Sequence, residues 1–119
     1  MLFRSRVPEI SPLDVVKKQN SKEDFVLLDV REENEFNIAK ISDPRVCLVP
    51  MTRLANEGVA AFPPVLNDNR QQVVVFCHLG SRSSQVVSWM KNNGWDNVLN
   101  MTGGIDAYAR YVNPDIRRY

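Results

Sequence analysis

The stretch Gln72-Val73-Val74-Val75-Phe76-Cys77-His78-Leu79-Gly80-Ser81-Arg82-Ser83 decides how this chain is read. Its first half is an unbroken apolar run rich in β-branched residues, the pattern of a strand buried on both faces of a parallel sheet. From Ser83 onward, apolar residues at Val86, Val87 and Met90 fall on one face of a helix. Between the two lies a short loop that opens with Cys77. In open α/β sheets the crevice at the carboxyl ends of the strands is where ligands bind. A helix start adds unpaired backbone N–H groups and the positive end of a dipole, and both favour an anion. A thiolate placed there is stabilised, and the thiolate is the nucleophilic form. The competing reading is a packing residue, since free cysteine is among the most buried residue types. Strand, cysteine, glycine, arginine and helix in this order favour the reactive cysteine.

Downstream, Asn92-Asn93-Gly94 ends that helix, Val98-Leu99-Asn100-Met101 reads as a strand, Gly103-Gly104 as a tight turn and Ile105 to Tyr111 as a last helix. Upstream, Ala60 to Arg70 carries Pro63, Pro64, Asn67, Asp68 and Asn69 and reads as an exposed connection. Thr52 to Gly58 predicts one or two helical turns, and Arg45 to Val49 a strand stopped by Pro50. Phe25 to Val30 is another apolar strand, with a charged cluster at its end and a short helix through Glu32 to Phe36. Ser11-Pro12-Leu13-Asp14 is a helix start, with a capping serine, a first-turn proline and an acidic residue. Val7 to Ile10 before it is extended. Strand and helix signals alternate, which predicts an α/β fold: a five-stranded, mostly parallel sheet with helices on both faces.

A length of 119 residues suits one domain, residues 1–119, with a core over about 7–111 and a tail at 112–119. Hydrophobic residues at 44% and charged residues at 24% are ordinary for a globular chain, and a net charge of +1 gives no case for nucleic acid or an anionic membrane surface. Cys47 and Cys77 form no disulfide framework, and with His78 as the one histidine there is no metal-ligand spacing. Neither a metal nor a cofactor is expected. No apolar run approaches the ~18 residues of a membrane span, and Met1 to Arg6 has no apolar stretch fit for a signal peptide. The expectation is a cytoplasmic protein, or an organelle protein whose targeting segment has been removed, acting as a monomer or weak dimer.

The loop's order of cysteine, two residues, glycine, one residue, arginine and serine resembles the active-site loop of the rhodanese family of sulfurtransferases. Three further landmarks carry the resemblance: Leu28-Asp29-Val30-Arg31-Glu32 with Glu35-Phe36, Gly94-Trp95 with Val98-Leu99-Asn100, and Gly103-Gly104-Ile105. Cysteine-based phosphatases have a similar loop that is one residue longer; a shorter ring suits a smaller guest, such as the outer sulfur of a persulfide. Ala39-Lys40-Ile41 replaces the family's usual glycine-histidine-isoleucine step, Asp43-Pro44-Arg45 its usual small residues, and Tyr108 a usual tryptophan. The first two departures bear on the path between the second and third strands and leave the loop alone.

The resemblance implies a rhodanese-like, thiosulfate sulfurtransferase-type enzyme. Cys77 would accept a sulfane sulfur as a persulfide and pass it to a thiol or cyanide, with small sulfur donors and thiol acceptors as partners. The alternative is a regulatory module that carries a persulfide or docks a protein. The amides of His78, Leu79, Gly80, Ser81, Arg82 and Ser83 would surround the outer sulfur as an oxyanion hole does. Arg82 either meets an anionic donor or braces the loop through its carbonyls. His78 either attracts an anion or is a plain loop residue. Asp29 and Arg31 would shape the site, with Arg31 and Glu35 spaced for a helix-face ion pair. Gly103 and Gly104 would make a turn against the loop, and Cys47 reads as core, with a resolving role as its alternative.

Overall fold

A computed structural model describes residues 7–119, so the reading made for Met1 to Arg6 lies outside the described residues. Among the described residues five strands, β1 (Glu9–Ile10), β2 (Val26–Asp29), β3 (Val46–Leu48), β4 (Val73–Phe76) and β5 (Val98–Met101), form one sheet in the order β1-β5-β4-β2-β3. Every pairing among these strands is parallel, as the alternation of strand and helix signals predicts. The helices are α1 (Pro12–Gln19), α2 (Glu33–Ile38), α3 (Met51–Glu57), α4 (Ser81–Asn92) and α5 (Gly104–Tyr111).

β4 is the central strand, and its period of two divides the core. Val73, Val75 and Cys77 lie in one apolar cluster with Val86, Val87 and Met90 of α4, Leu54 of α3 and Trp95. Val74 and Phe76 lie in the other, with Val15 of α1 and Ile105 and Tyr108 of α5. A strand covered on both faces has no polar side to show, and all four β4 residues are buried.

Two local expectations are corrected. Helix α4 begins at Ser81, not Ser83: Gly80 takes the cap position with φ 108°, and Ser81 and Arg82 stand in the first turn. Residues 60–70 are not a plain exposed connection. Two 3-10 turns, Gly58–Ala61 and Pro64–Asn67, fold Ala61, Phe62 and Leu66 into the core, and the Trp95 indole donates to the Leu66 carbonyl at 3.0 Å. Pro63 and Pro64 open the second turn, and exposed residues surround the buried Leu66. Residues 112–119 also pack back on the domain, with Val112 and Ile116 against the α1/α5 cluster.

Candidate active site

The ends of β2, β4 and β5 meet the starts of α4 and α5 at one edge of the sheet. Cys77 follows directly from β4 and is 1% exposed. Three donors converge on its sulfur: the Gly80 amide at 3.1 Å, the Ser83 amide at 3.4 Å and the Ser83 hydroxyl at 3.3 Å. Two of these are amides of the turn that opens α4, so the sulfur sits where the positive helix end faces it. The positive φ at Gly80 is a conformation that side-chain-bearing residues avoid, and it turns the loop so that this amide points inward.

Buried Asn100 on β5 holds the loop from below, its amide nitrogen donating to the Gly80 carbonyl at 3.2 Å while its oxygen accepts from the Ser83 hydroxyl at 2.6 Å. From above, the first turn of α5 grips the loop: Ile105 N–H donates to the Cys77 carbonyl at 2.9 Å and Asp106 N–H to the His78 carbonyl at 3.1 Å. Gly104 permits that grip, since a Cβ there would collide with the carbonyls of Cys77 and His78. Gly103 caps α5. Leu79 is 62% exposed at the loop tip and Ser81 is exposed beside it, so neither side chain lines the sulfur.

The charged residues are arranged otherwise than their spacing suggests. Arg31 does not pair with Glu35. It is fully buried against Asp29 at 2.7 Å and spends its other N–H groups on the carbonyls of Ala39 and Glu35 and on the Tyr119 hydroxyl. Burial opposes its charge, but the hydrogen bonds of Asp29 and Tyr119 outweigh it and raise its pKa. A buried pair this well satisfied fixes the end of β2 rather than attracting a ligand. Ala39, at one of the sequence departures, supplies a carbonyl to that network, so the path from α2 to β3 is anchored there.

Glu35 pairs with Arg82 instead, two parallel bonds of 2.6 and 2.9 Å. Arg82 therefore braces the site through a carboxylate on α2, not through loop carbonyls. Those bonds, outweighing burial and helped by the Glu32 amide and the Tyr119 hydroxyl, hold the Glu35 carboxyl down to about 2. In turn, Glu35 raises the pKa of Arg82. Cys47, on edge strand β3, is half-buried, and burial pushes its thiol up. Among the described residues no cluster of histidine, cysteine and carboxylate groups fit to hold a metal is present.

The roles of three residues of the site are not read from the sequence. The spacing of Glu35 points to Arg31, whereas its partner is Arg82. Asn100, a polar residue inside an apolar strand, carried a signal, because a buried amide needs partners. Tyr119 had none: its ring stacks on His78, centroids 3.9 Å apart and planes 9° apart, although they are far apart in sequence.

The family model described as a rhodanese-like domain matches residues 12–111. A sulfurtransferase of Allochromatium vinosum is 32% identical over 108 residues, covering 91% of this chain and 94% of that protein. The rhodanese-like/PpiC domain-containing protein 12 of Arabidopsis thaliana, chloroplastic, is 37% identical over 93 residues, 78% of this chain but 30% of that protein. The chain thus spans less than a third of that longer relative. A rhodanese-like domain protein from Staphylococcus aureus superposes with a TM-score of 0.72 at 22% identity, covering 94% of this chain and 98% of that one, which is a likeness of fold.

Proposed function

The chain belongs to the rhodanese-like domain family, and on that premise we propose that it moves a sulfane sulfur from a donor such as thiosulfate to a thiol or cyanide through a persulfide on Cys77. One observation carries the reading: Gly80 N–H, Ser83 N–H and Ser83 O–H all converge on the Cys77 sulfur at the start of α4. Preorganised donors of this kind favour negative charge on sulfur before and after transfer. In the first half-reaction the Cys77 thiolate attacks the outer sulfur of thiosulfate. A new S–S bond forms, the donor's S–S bond breaks, and its electron pair leaves with sulfite. In the second, the acceptor attacks the outer sulfur of the persulfide and the Cys77 thiolate is the leaving group. No electrons are gained or lost overall, so no redox cofactor is needed.

A covalent intermediate between two half-reactions predicts ping-pong kinetics. With thiosulfate or an alkyl persulfide as donor and cyanide as acceptor, thiocyanate formation should give parallel double-reciprocal lines. Activity should vanish in Cys77→Ser and persist in Cys47→Ser. Intersecting lines, or activity in Cys77→Ser, would refute the reading. Sulfur uptake without turnover would instead make the domain a persulfide carrier. Among the described residues no helix is long and apolar enough to cross a membrane. A cytoplasmic or organellar location and a monomeric or weakly dimeric state remain part of this proposal.

A further inference from the structure

Three arginines around the mouth of the Cys77 loop are each paired with a carboxylate. Arg82 gives two N–H groups to Glu35 at 2.6 and 2.9 Å. Arg31 is fully buried against Asp29. Arg118 binds Asp106 at 2.9 Å, beside the His78 carbonyl. His78 lies under the ring of Tyr119, and its Nε2 is buried with no hydrogen-bond partner. The Tyr119 hydroxyl then ties the arrangement together, donating to Glu35 Oε2 at 2.8 Å and accepting from Arg31 at 3.1 Å. Glu35 is anchored again by the Glu32 amide at 3.2 Å. Among the described residues Arg31, Arg82 and Arg118 at this edge each have a carboxylate partner, and the carboxylate that neutralises Arg82 is held from three sides.

We propose that Glu35 determines the donor class: acting through Arg82, it keeps the mouth neutral, so that the loop takes sulfur from an alkyl persulfide in preference to a dianionic oxyanion such as thiosulfate. This rests on the sulfur-transfer reading and narrows it. The Cys77 thiolate attacks the outer sulfur of R–S–S–H. The bond to Cys77 forms, the donor's S–S bond breaks, and its electron pair leaves on R–S⁻ while the proton stays on the transferred sulfur. Such a donor is uncharged when protonated and meets no unpaired charge at the mouth. Thiosulfate carries two negative charges toward an arginine that already has a carboxylate.

The test compares alkylation of Cys77 by iodoacetate, an anion, with alkylation by iodoacetamide, its neutral analogue. The ratio of the two rates reads the charge at the mouth and cancels changes in access. Glu35→Gln keeps an oxygen for the Glu32 amide and removes the charge. It should raise the ratio roughly three- to tenfold at low ionic strength, and the rise should shrink as added salt screens it. Tyr119→Phe keeps the ring on His78, leaves the core untouched and removes one of the bonds that hold Glu35. It removes no charge and should leave the ratio as in the parent. An unchanged or lower ratio in Glu35→Gln, a rise indifferent to salt, or a rise in Tyr119→Phe as large as that in Glu35→Gln, overturns the proposal. In the parent protein, 2-hydroxyethyl persulfide should load sulfur faster than thiosulfate at equal concentration, and Glu35→Gln should narrow the gap; faster loading from thiosulfate also overturns it. No loading from either donor would refute sulfur transfer itself, and the alkylation ratio, which needs no sulfur chemistry, would still judge the role of Glu35.

Discussion

Ser83 has one hydroxyl proton and three acceptors within reach: Asn100 Oδ1 at 2.6 Å, the Gly80 carbonyl at 3.2 Å and the Cys77 sulfur at 3.3 Å. With sulfur protonated, the short bond to Asn100 wins. A thiolate competes better, because a hydrogen bond to a charged group is worth about 1.5–3 kcal/mol against about 1 for a neutral one. Ser83→Ala removes this donor and leaves the two amides. Its Cys77 should react with iodoacetamide at pH 7 roughly three- to tenfold more slowly than the parent; an equal rate would mean that the hydroxyl never turns to the sulfur. Asn100 shows how far single residues could be read. Its place in a buried strand announced a polar partner, but only the folded sheet shows that the partners are Ser83 and Gly80. The loop residues were legible because they are contiguous. Glu35 was not, since its partner Arg82 lies 47 positions away and a nearer cation, Arg31, offered a false match.

At the scale of elements, the site is a junction of helix starts. α4 supplies amides to the sulfur, and α5 supplies amides to the two carbonyls of the same loop. That double use requires α5 to approach closely, and Gly104 with φ 61° is the point of contact. Gly104→Ala adds a Cβ against the Cys77 and His78 carbonyls in a backbone conformation that already disfavours side chains. The cost should be at least ~2 kcal/mol, seen as a fall in melting temperature of about 10 °C, with slower Cys77 alkylation in the folded protein. A melting temperature within a degree or two of the parent would show that α5 does not clamp the loop. Strands and helices were legible because their apolar periods differ. β4, fully covered, shows no alternation, whereas α4 repeats at three and four. The 3-10 turns at residues 58–67 were missed because prolines and asparagines commonly mark solvent, and here the chain around them buries Phe62 and Leu66.

For the molecule as a whole, residues 112–119 are part of the site they were expected to trail behind. They bring Tyr119 over His78 and onto Glu35, a contact between distant parts of the chain that no local pattern encodes. The pairing of Glu35 also links the site to acid stability. Its carboxyl titrates near 4.5 when free and at about 2 in the fold, where Arg82 hydrogen-bonds the charged form. A depressed pKa contributes stability above the free value and loses it as pH falls through the folded one. The urea midpoint of the parent should therefore drop between about pH 4.5 and 2 more steeply than that of Glu35→Gln; parallel curves would contradict the pairing. The parallel order of the sheet was readable from alternating elements, and the tail's return was not. That the whole fold serves a sulfur held on Cys77 is tested most directly by mass spectrometry of the protein after exposure to a sulfane donor. One sulfur atom should be gained, located on the Cys77 peptide, released by cyanide, and absent in Cys77→Ser. A sulfur found on Cys47, or retained in Cys77→Ser, would contradict it.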